Sequence, residues 1–214
     1  MNAFKKLIII LKDLSVALFL LKFMYRGYLF DVGWIQSRKS GKSVDKDAKP
    51  LPWITYPFIK FIEGRLDKTM RIFEYGCGNS TLFYAKAVGH VISVEGDAKW
   101  FNYVQSLVPK NVTLLLEKDD ALRYVKSISK FDPSFDIIIV DGRHRVNCIK
   151  ESVNFLSERG VIVLDNSERP RYRDGIDFIL KGGFKRIDFW GMAPLVPNYQ
   201  CTSLFYRDDN ILGV

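Results

Sequence analysis

Arg71-Ile72-Phe73-Glu74-Tyr75-Gly76-Cys77-Gly78-Asn79-Ser80-Thr81 is the stretch on which the reading of this chain turns. Ile72 and Phe73 suit a buried strand. Gly76 and Gly78 remove side chains where the backbone must turn sharply and let a ligand come close. Ser80 and Thr81 open an apolar-periodic segment, Leu82 to Val88, that reads as a helix. A strand, a glycine turn and a helix start leave backbone N–H groups free at the turn. About twenty residues after Gly76, His90-Val91-Ile92-Ser93-Val94-Glu95 reads as a second strand that ends in an acid.

An acid there is placed to hold a ribose diol. A dinucleotide site wants a third glycine in G-x-G-x-x-G, and here that position is Thr81. Glu74 would also sit badly beside a pyrophosphate, whereas it suits a ligand with an ammonium group. Glu74-x-Gly76-x-Gly78 with Glu95 resembles motif I and the following acidic motif of the class I S-adenosylmethionine-dependent methyltransferases. The alternatives to that resemblance are a nicotinamide-dependent oxidoreductase, which Thr81 disfavours, and a plain glycine turn in an α/β domain.

The length of 214 residues suits one domain with a short extension, divided as residues 1–50 and 51–214. Hydrophobic residues make up 48% of the chain, enough for a full core. The cysteines, Cys77, Cys148 and Cys201, are few and widely spaced, which argues against a disulfide framework or structural zinc and fits the reducing cytoplasm. With His90 and His144 as the only histidines, a multi-histidine metal site is excluded. The net charge is +8. Much of it lies in residues 1–50, where Lys5, Lys6, Lys12, Lys22, Arg26, Arg38, Lys39, Lys42, Lys46 and Lys49 face only Asp13, Asp31, Asp45 and Asp47. Such an excess suits an anionic surface. No nucleic-acid-binding motif accompanies it, so membrane lipid ranks before nucleic acid.

Residues 7–24 are apolar except for Lys12, Asp13, Ser15 and Lys22. A spanning helix would carry Lys12 and Asp13 near its middle, at roughly 3 kcal/mol each, and no signal-peptide cleavage site follows. Two readings remain: a helix in the membrane interface at the inner face, or one packed on the domain or on a second copy in a homodimer. Residues 36–50 read as a surface loop or linker. Leu51-Pro52-Trp53-Ile54-Thr55-Tyr56-Pro57 is rigid and aromatic, and could either wall a ligand pocket or pin the next helix to the sheet.

Downstream, strand and helix patterns alternate. Strands are expected at Val112 to Leu116, Phe135 to Val140, Gly160 to Leu164, Phe184 to Trp190 and Thr202 to Tyr206, the last two joined by a loop from Gly191 to Gln200. The alternation predicts a Rossmann-like α/β fold: seven strands, mostly parallel, helices on both faces and a final antiparallel hairpin. Acids stand at successive strand ends: Glu74, Glu95, Asp119 with Asp120, Asp141, and Asp165 with Asn166. Ligands of open α/β sheets bind at those ends.

The methyltransferase resemblance implies roles for several of these residues. Glu74 and the turn Gly76, Cys77, Gly78, with Ser80 and Thr81, would hold the aminoacid part of S-adenosylmethionine. Glu95 would bind the ribose, and Asp120 with Ala121, or Asp119, the adenine. Asp141-Gly142-Arg143-His144 with Asp165-Asn166 is similar to the pattern of catechol and caffeoyl-CoA type O-methyltransferases. There Asp141, Asp165 and Asn166 would be oxygen ligands for Mg²⁺ or another divalent cation. His144 falls where those families carry a lysine base. A histidine can take a hydroxyl proton at neutral pH, or orient a phosphate or sugar. Arg143, Arg169, Arg171 and Tyr172 suit an anionic or glycosidic acceptor. The expectation is therefore S-adenosylmethionine-dependent O-methylation of a hydroxylated, saccharide or lipid-linked acceptor. The alternative is a non-catalytic, membrane-associated scaffold that binds S-adenosylmethionine.

Overall fold

The computed structural model describes residues 4, 7, 8, 12–118 and 120–214. Helices α1 (Leu14–Lys22), α2 (Tyr28–Asp31), α3 (Trp34–Ser40) and α4 (Tyr56–Glu63) precede the first strand. Then follow β1 (Arg71–Tyr75), α5 (Asn79–Ala87), β2 (His90–Glu95), α6 (Ala98–Gln105), β3 (Val112–Leu116) and α7 (Ala121–Lys126). The chain continues through β4 (Phe135–Val140), α8 (Arg145–Ser152), β5 (Leu156–Asp165), α9 (Arg173–Lys181), β6 (Lys185–Ala193) and β7 (Val196–Tyr206).

The strands form one seven-stranded sheet in the order β3-β2-β1-β4-β5-β7-β6. β1 to β5 pair in parallel, and β7 runs antiparallel to both β5 and β6. The expected Rossmann-like arrangement with its closing antiparallel hairpin is what forms. The central strands are continuous apolar runs because helices cover both faces. Phe73, Tyr75, Ile138, Val140, Ile162 and Leu164 feed one core, with Cys148, Ile149 and Ile176 packed over them. Ile72, Ile137, Ile139, Val161 and Val163 feed the other, against Phe58, Ile59 and Tyr84. Each fully buried aliphatic contributes about 1.5–3 kcal/mol, so the sheet centre is the rigid part on which the site stands. All three cysteines are free and buried.

Two segments differ from the sequence-based expectation. The expected loop from Gly191 to Gln200 is instead the end of a long β-ribbon. β6 and β7 run to a two-residue turn at Pro194-Leu195, with Leu195 at a φ of 71°. Gly191, Pro194 and Pro197 look like loop punctuation. Yet β5 pairs with β7 only from Thr202 to Phe205, so a proline beyond that point costs no bond to a third strand.

The second is the stretch read as a loop or linker. Its first part is α3, flanked by Gly33 and Gly41 in left-handed conformation. Ile35 and Ser37 are buried. A Cβ on Gly33 would stand 2.4 Å from Asp45 Cα, so the chain after α3 folds back tightly on its start. Ser37 Oγ donates to Val44 O at 2.8 Å and accepts from Val44 N at 3.0 Å.

α1 buries none of its residues. Part of the helix expected over residues 7–24, with Lys5 and Lys6 before it, lies outside the described residues. Among the described residues, no helix is long and apolar enough to cross a membrane.

Candidate functional site

β1 is followed along the sheet by β2 on one side and by β4 on the other, so the tips of β1 and β4 mark the point where the winding reverses. The two tips touch: Asp141 N donates to Tyr75 O at 3.1 Å. A Cβ on Gly142 would come within 2.0 Å of Tyr124 Oη. Gly76 has a φ of +99°, and a Cβ there would reach 3.2 Å from Gly142 Cα. Only a chain without side chains at these two places can bring the tips together.

A cavity of about 780 Å³ opens over this junction. Gly76, Cys77, Gly78, Asn79 and Ser80 form its floor, beside Glu95, Asp141, Asp165 and Asn166. Trp53 and the segment Ser40 to Ser43 line it from the N-terminal side, and Leu195, Val196, Asn198 and Gln200 from the hairpin. These covering pieces are tied down. Trp34 Nε1 donates to Val196 O at 3.0 Å, Arg38 Nη1 to Leu195 O at 2.9 Å, and Asn79 Nδ2 to Ser43 O at 2.6 Å. Trp53 thus walls the cavity, while the neighbouring Thr55 N donates to Thr202 Oγ1, which in turn donates to Asp165 Oδ1.

The turn is built from behind. Glu74 is fully buried and does not line the cavity. Its Oε2 accepts from Thr81 Oγ1 at 2.5 Å and Ser93 Oγ at 2.7 Å, while Oε1 has no hydrogen-bond partner among the described residues. Thr81 Oγ1 also accepts from Gly78 N at 3.0 Å. Thr81, where a dinucleotide fold wants glycine, therefore joins the turn to Glu74. Burial pushes the Glu74 carboxyl up to about 7, against hydrogen bonds that favour its anion.

Glu95 faces the cavity. Its Oε1 accepts from Gly96 N and Asp97 N, and its Oε2 from Cys77 N at 3.3 Å. Trp100 Nε1 donates to Cys77 O at 2.6 Å, which sets an aromatic wall against Gly78. Burial and the nearby Glu95 carboxylate raise the Cys77 thiol, which keeps it protonated. Asp120 caps α7 by accepting from Leu122 N and Arg123 N. Neither it nor Ala121 lines the cavity, and Asp119 lies outside the described residues.

The tips of β4 and β5 carry the largest departure from expectation. Asp141, Asp165 and Asn166 do converge, but around Arg145. Its Nη2 donates to Asp141 Oδ1 at 2.8 Å and to Asp141 O at 3.0 Å. Its Nη1 donates to Asp165 O at 2.5 Å and Asn166 Oδ1 at 3.3 Å, and stands 3.8 Å from Asp165 Oδ2. Nε donates to Gly142 O at 2.9 Å. The guanidinium occupies the place that a divalent ion would need, so this donor set does not fit a metal. Among the described residues, no group of three or more His, Cys, Asp or Glu side chains could hold one. Burial raises Asp141 to about 6, opposed by Arg145 and Arg169, and raises Asp165 further, helped by the charge of Asp141.

His144 caps the start of α8 at a φ of 51° and is exposed. It does not line the large cavity. It lines an adjoining groove of about 390 Å³, with Arg143, Arg171 and Tyr172. Tyr172 is buried, and its ring lies under both Arg145 and Arg171, at 5.4 and 5.0 Å. Of the four expected acceptor residues, Arg143 and Arg169 line the large cavity, and Arg143 borders both spaces. Sequence reading missed Arg145, Trp100, the α3 segment and the hairpin tip. The i,i+4 spacing of Asp141 and Arg145 was the one available signal for the first.

No protein-family model matches the chain, and no curated protein matches it by sequence. Solved structures do match. A provisionally assigned O-methyltransferase from Klebsiella pneumoniae covers 90% of this chain and 96% of its own, at TM-score 0.55 and 18% identity. A provisionally assigned methyltransferase from Streptococcus mutans, in complex with SAH, covers 72% and 99%, at TM-score 0.52 and 15% identity. Precorrin-6y C5,15-methyltransferase from Geobacter metallireducens covers 71% and 88%, at TM-score 0.53 and 14% identity. The protein therefore has the fold of the class I methyltransferases. At these identities the likeness extends to the fold and no further.

Proposed function

We propose that this protein is an S-adenosylmethionine-dependent methyltransferase that methylates a hydroxyl oxygen, and that Asp141 takes the proton. The observation that carries this reading is the place of Asp141. Its carboxyl lines the cavity directly beside the glycine turn, with one oxygen fixed by Arg145. S-adenosylmethionine would supply an electrophilic methyl group. The residues fit such a cofactor: Gly76, Cys77 and Gly78 line the cavity at the turn with little side-chain bulk, and Glu95 offers carboxylate oxygens to ribose hydroxyls. Asp141 would hold the acceptor oxygen in line and receive its proton as the new bond forms. A carboxyl raised toward neutrality is a better base than an ordinary aspartate and is still mostly ionised at pH 7. No divalent ion is required in this scheme, because Arg145 already balances the two acids. The acceptor is a saccharide or lipid-linked molecule, a choice supported by Arg143 and Arg169 at the cavity wall.

A membrane-surface location accompanies this proposal. In α1, Leu14, Leu18, Phe19 and Leu21 are all more than half exposed, and the helix lies between Lys12 and Arg26. An apolar helix with basic flanks and no buried residue suits the boundary of an anionic bilayer.

Calorimetric titration of the purified protein with S-adenosylmethionine and with NAD tests the class. Binding of the former alone supports methyl transfer. Binding of neither overturns it. Binding of S-adenosylmethionine with no labelled methyl passed to any hydroxylated acceptor would favour the scaffold.

A further inference from the structure

The groove beside His144 is lined by cations and by no carboxylate. Arg143 and Arg171 line it from different segments, one after β4 and the other before α9. Among the described residues neither guanidinium has an ion pair or a hydrogen bond. Arg171 rests on the Tyr172 ring. Arg143 reaches over Gly96, where its charge is felt by Asp97 without pairing to it. Tyr172 is 8% exposed and lines the groove, and among the described residues its hydroxyl has no hydrogen-bond partner. α8 begins at the same spot with no side-chain cap, so its first amides are open to an acceptor. Solvated arginines on a convex surface repel and spread. Here they are gathered with a histidine, a buried phenol and a helix start around one concavity, and all of these groups donate.

We infer that this groove binds a phosphate-class oxyanion carried by the acceptor, seated between Arg143, Arg171 and His144. Guanidinium pairs match the geometry of phosphate oxygens, and the helix start adds backbone donors. The groove and the large cavity share Gly142, Arg143 and Arg145. A molecule anchored by its phosphate in the groove can therefore extend a hydroxyl past Gly142 toward Asp141. The inference rests on the methyl-transfer reading for which molecule the anion belongs to, but not for the binding itself.

The test needs no methyl donor. The chain has two histidines, and His90 stands at the far end of β2 with its Nε2 3.1 Å from Thr113 Oγ1. Imidazole NMR signals are followed at constant ionic strength while inorganic phosphate, glycerol 3-phosphate or acetate is added. The expected result is a saturable shift of His144 with both phosphates, weaker with acetate, and none of His90. Arg171→Gln and Arg143→Gln should each weaken phosphate binding at least tenfold, and Lys150→Gln, outside the groove, should leave it unchanged. Histidines that stay still or move together overturn the inference. So does equal binding of acetate, or unchanged affinity in both arginine variants. Response to inorganic phosphate without glycerol 3-phosphate would mean a free-ion site and overturn acceptor docking. A phosphate shift in a protein that fails to bind S-adenosylmethionine would sink the methyltransferase reading and leave the groove standing.

Discussion

Arg145 Nη2 lies 2.8 Å from Asp141 Oδ1, and the same guanidinium closes on Asp165 and Asn166, so a fixed cation stands between a buried acid and one at the cavity wall. Removing it leaves both carboxylates uncompensated, at a cost of about 3–5 kcal/mol. It also vacates a space ringed by oxygen donors. Wild-type protein should show no broadening of the Mn²⁺ electron spin resonance signal, and any transfer activity should ignore EDTA. Arg145→Ala should bind Mn²⁺, and Arg145→Lys, which keeps a charge there, should not. Mn²⁺ binding by wild type that Asp141→Asn abolishes would refute the arrangement.

Asp141→Asn should lower methyl transfer by about 10²–10⁴-fold, the range for loss of a general base. The sign of the pH effect follows from the base being active only when ionised. Wild-type rate should rise with pH through about 6 and level off above it. His144→Ala should keep that profile, because His144 faces the groove and not the cavity. A profile that flattens in His144→Ala would return the proton to the histidine.

Glu95→Ala should weaken S-adenosylmethionine binding by about 1–3 kcal/mol in calorimetry, through lost charge-assisted hydrogen bonds. The carboxylate also gathers the amides of Cys77, Gly96 and Asp97. Glu95→Gln, which preserves an acceptor for them, should fall between wild type and alanine. Equal affinity in all three folded proteins would remove Glu95 from the binding site.

Glu74 gives a stability signature. Its folded carboxyl holds a proton up to about 7, while an unperturbed glutamate releases it near 4.5. Between these values the native state binds more protons than the unfolded one, so stability falls as pH rises through that window and is lowest above it. Glu74→Gln has no proton to lose. Its advantage over wild type in urea unfolding should grow from pH 4.5 to 7, reach about 3 kcal/mol, and stay flat beyond. An advantage that does not vary with pH would show that Glu74 ionises normally.

Deleting residues 1–26 leaves the Tyr28–Tyr56 edge-to-face contact, with centroids 6.4 Å apart. The truncated protein should keep its affinity for S-adenosylmethionine and lose co-flotation with anionic vesicles at low salt. Full-length protein that never floats with such vesicles would assign α1 to a second copy of the chain.

The sheet was legible because Ile72–Phe73, Ile137–Val140 and Val161–Leu164 are runs that only a doubly covered strand tolerates. The glycine turn was legible because few other residues could stand at Gly76, with its φ of +99° against Gly142. Arg145 was not, since its role depends on α8 turning back over two strand tips far apart in sequence. In the chain it is one more basic residue after Arg143. Asp120 misled for the opposite reason: it is a residue type that binds ligands, and here it is spent on capping α7. The charges of residues 36–50 hid α3, although Gly33 and Gly41 bracket it. The distal hairpin was hidden by its prolines.

Trp34 and Arg38 hold the hairpin tip by the main-chain carbonyls of Val196 and Leu195. Those tethers are blind to what the tip residues are. They fix where the ribbon ends and how long it is, but Asn198 and its neighbours could be exchanged without loosening either bond. The cavity thus has a cover whose frame is constant and whose inner face is free to diverge. Acceptor preference could be rewritten there one side chain at a time, provided that nothing is inserted or deleted between Ala193 and Pro197.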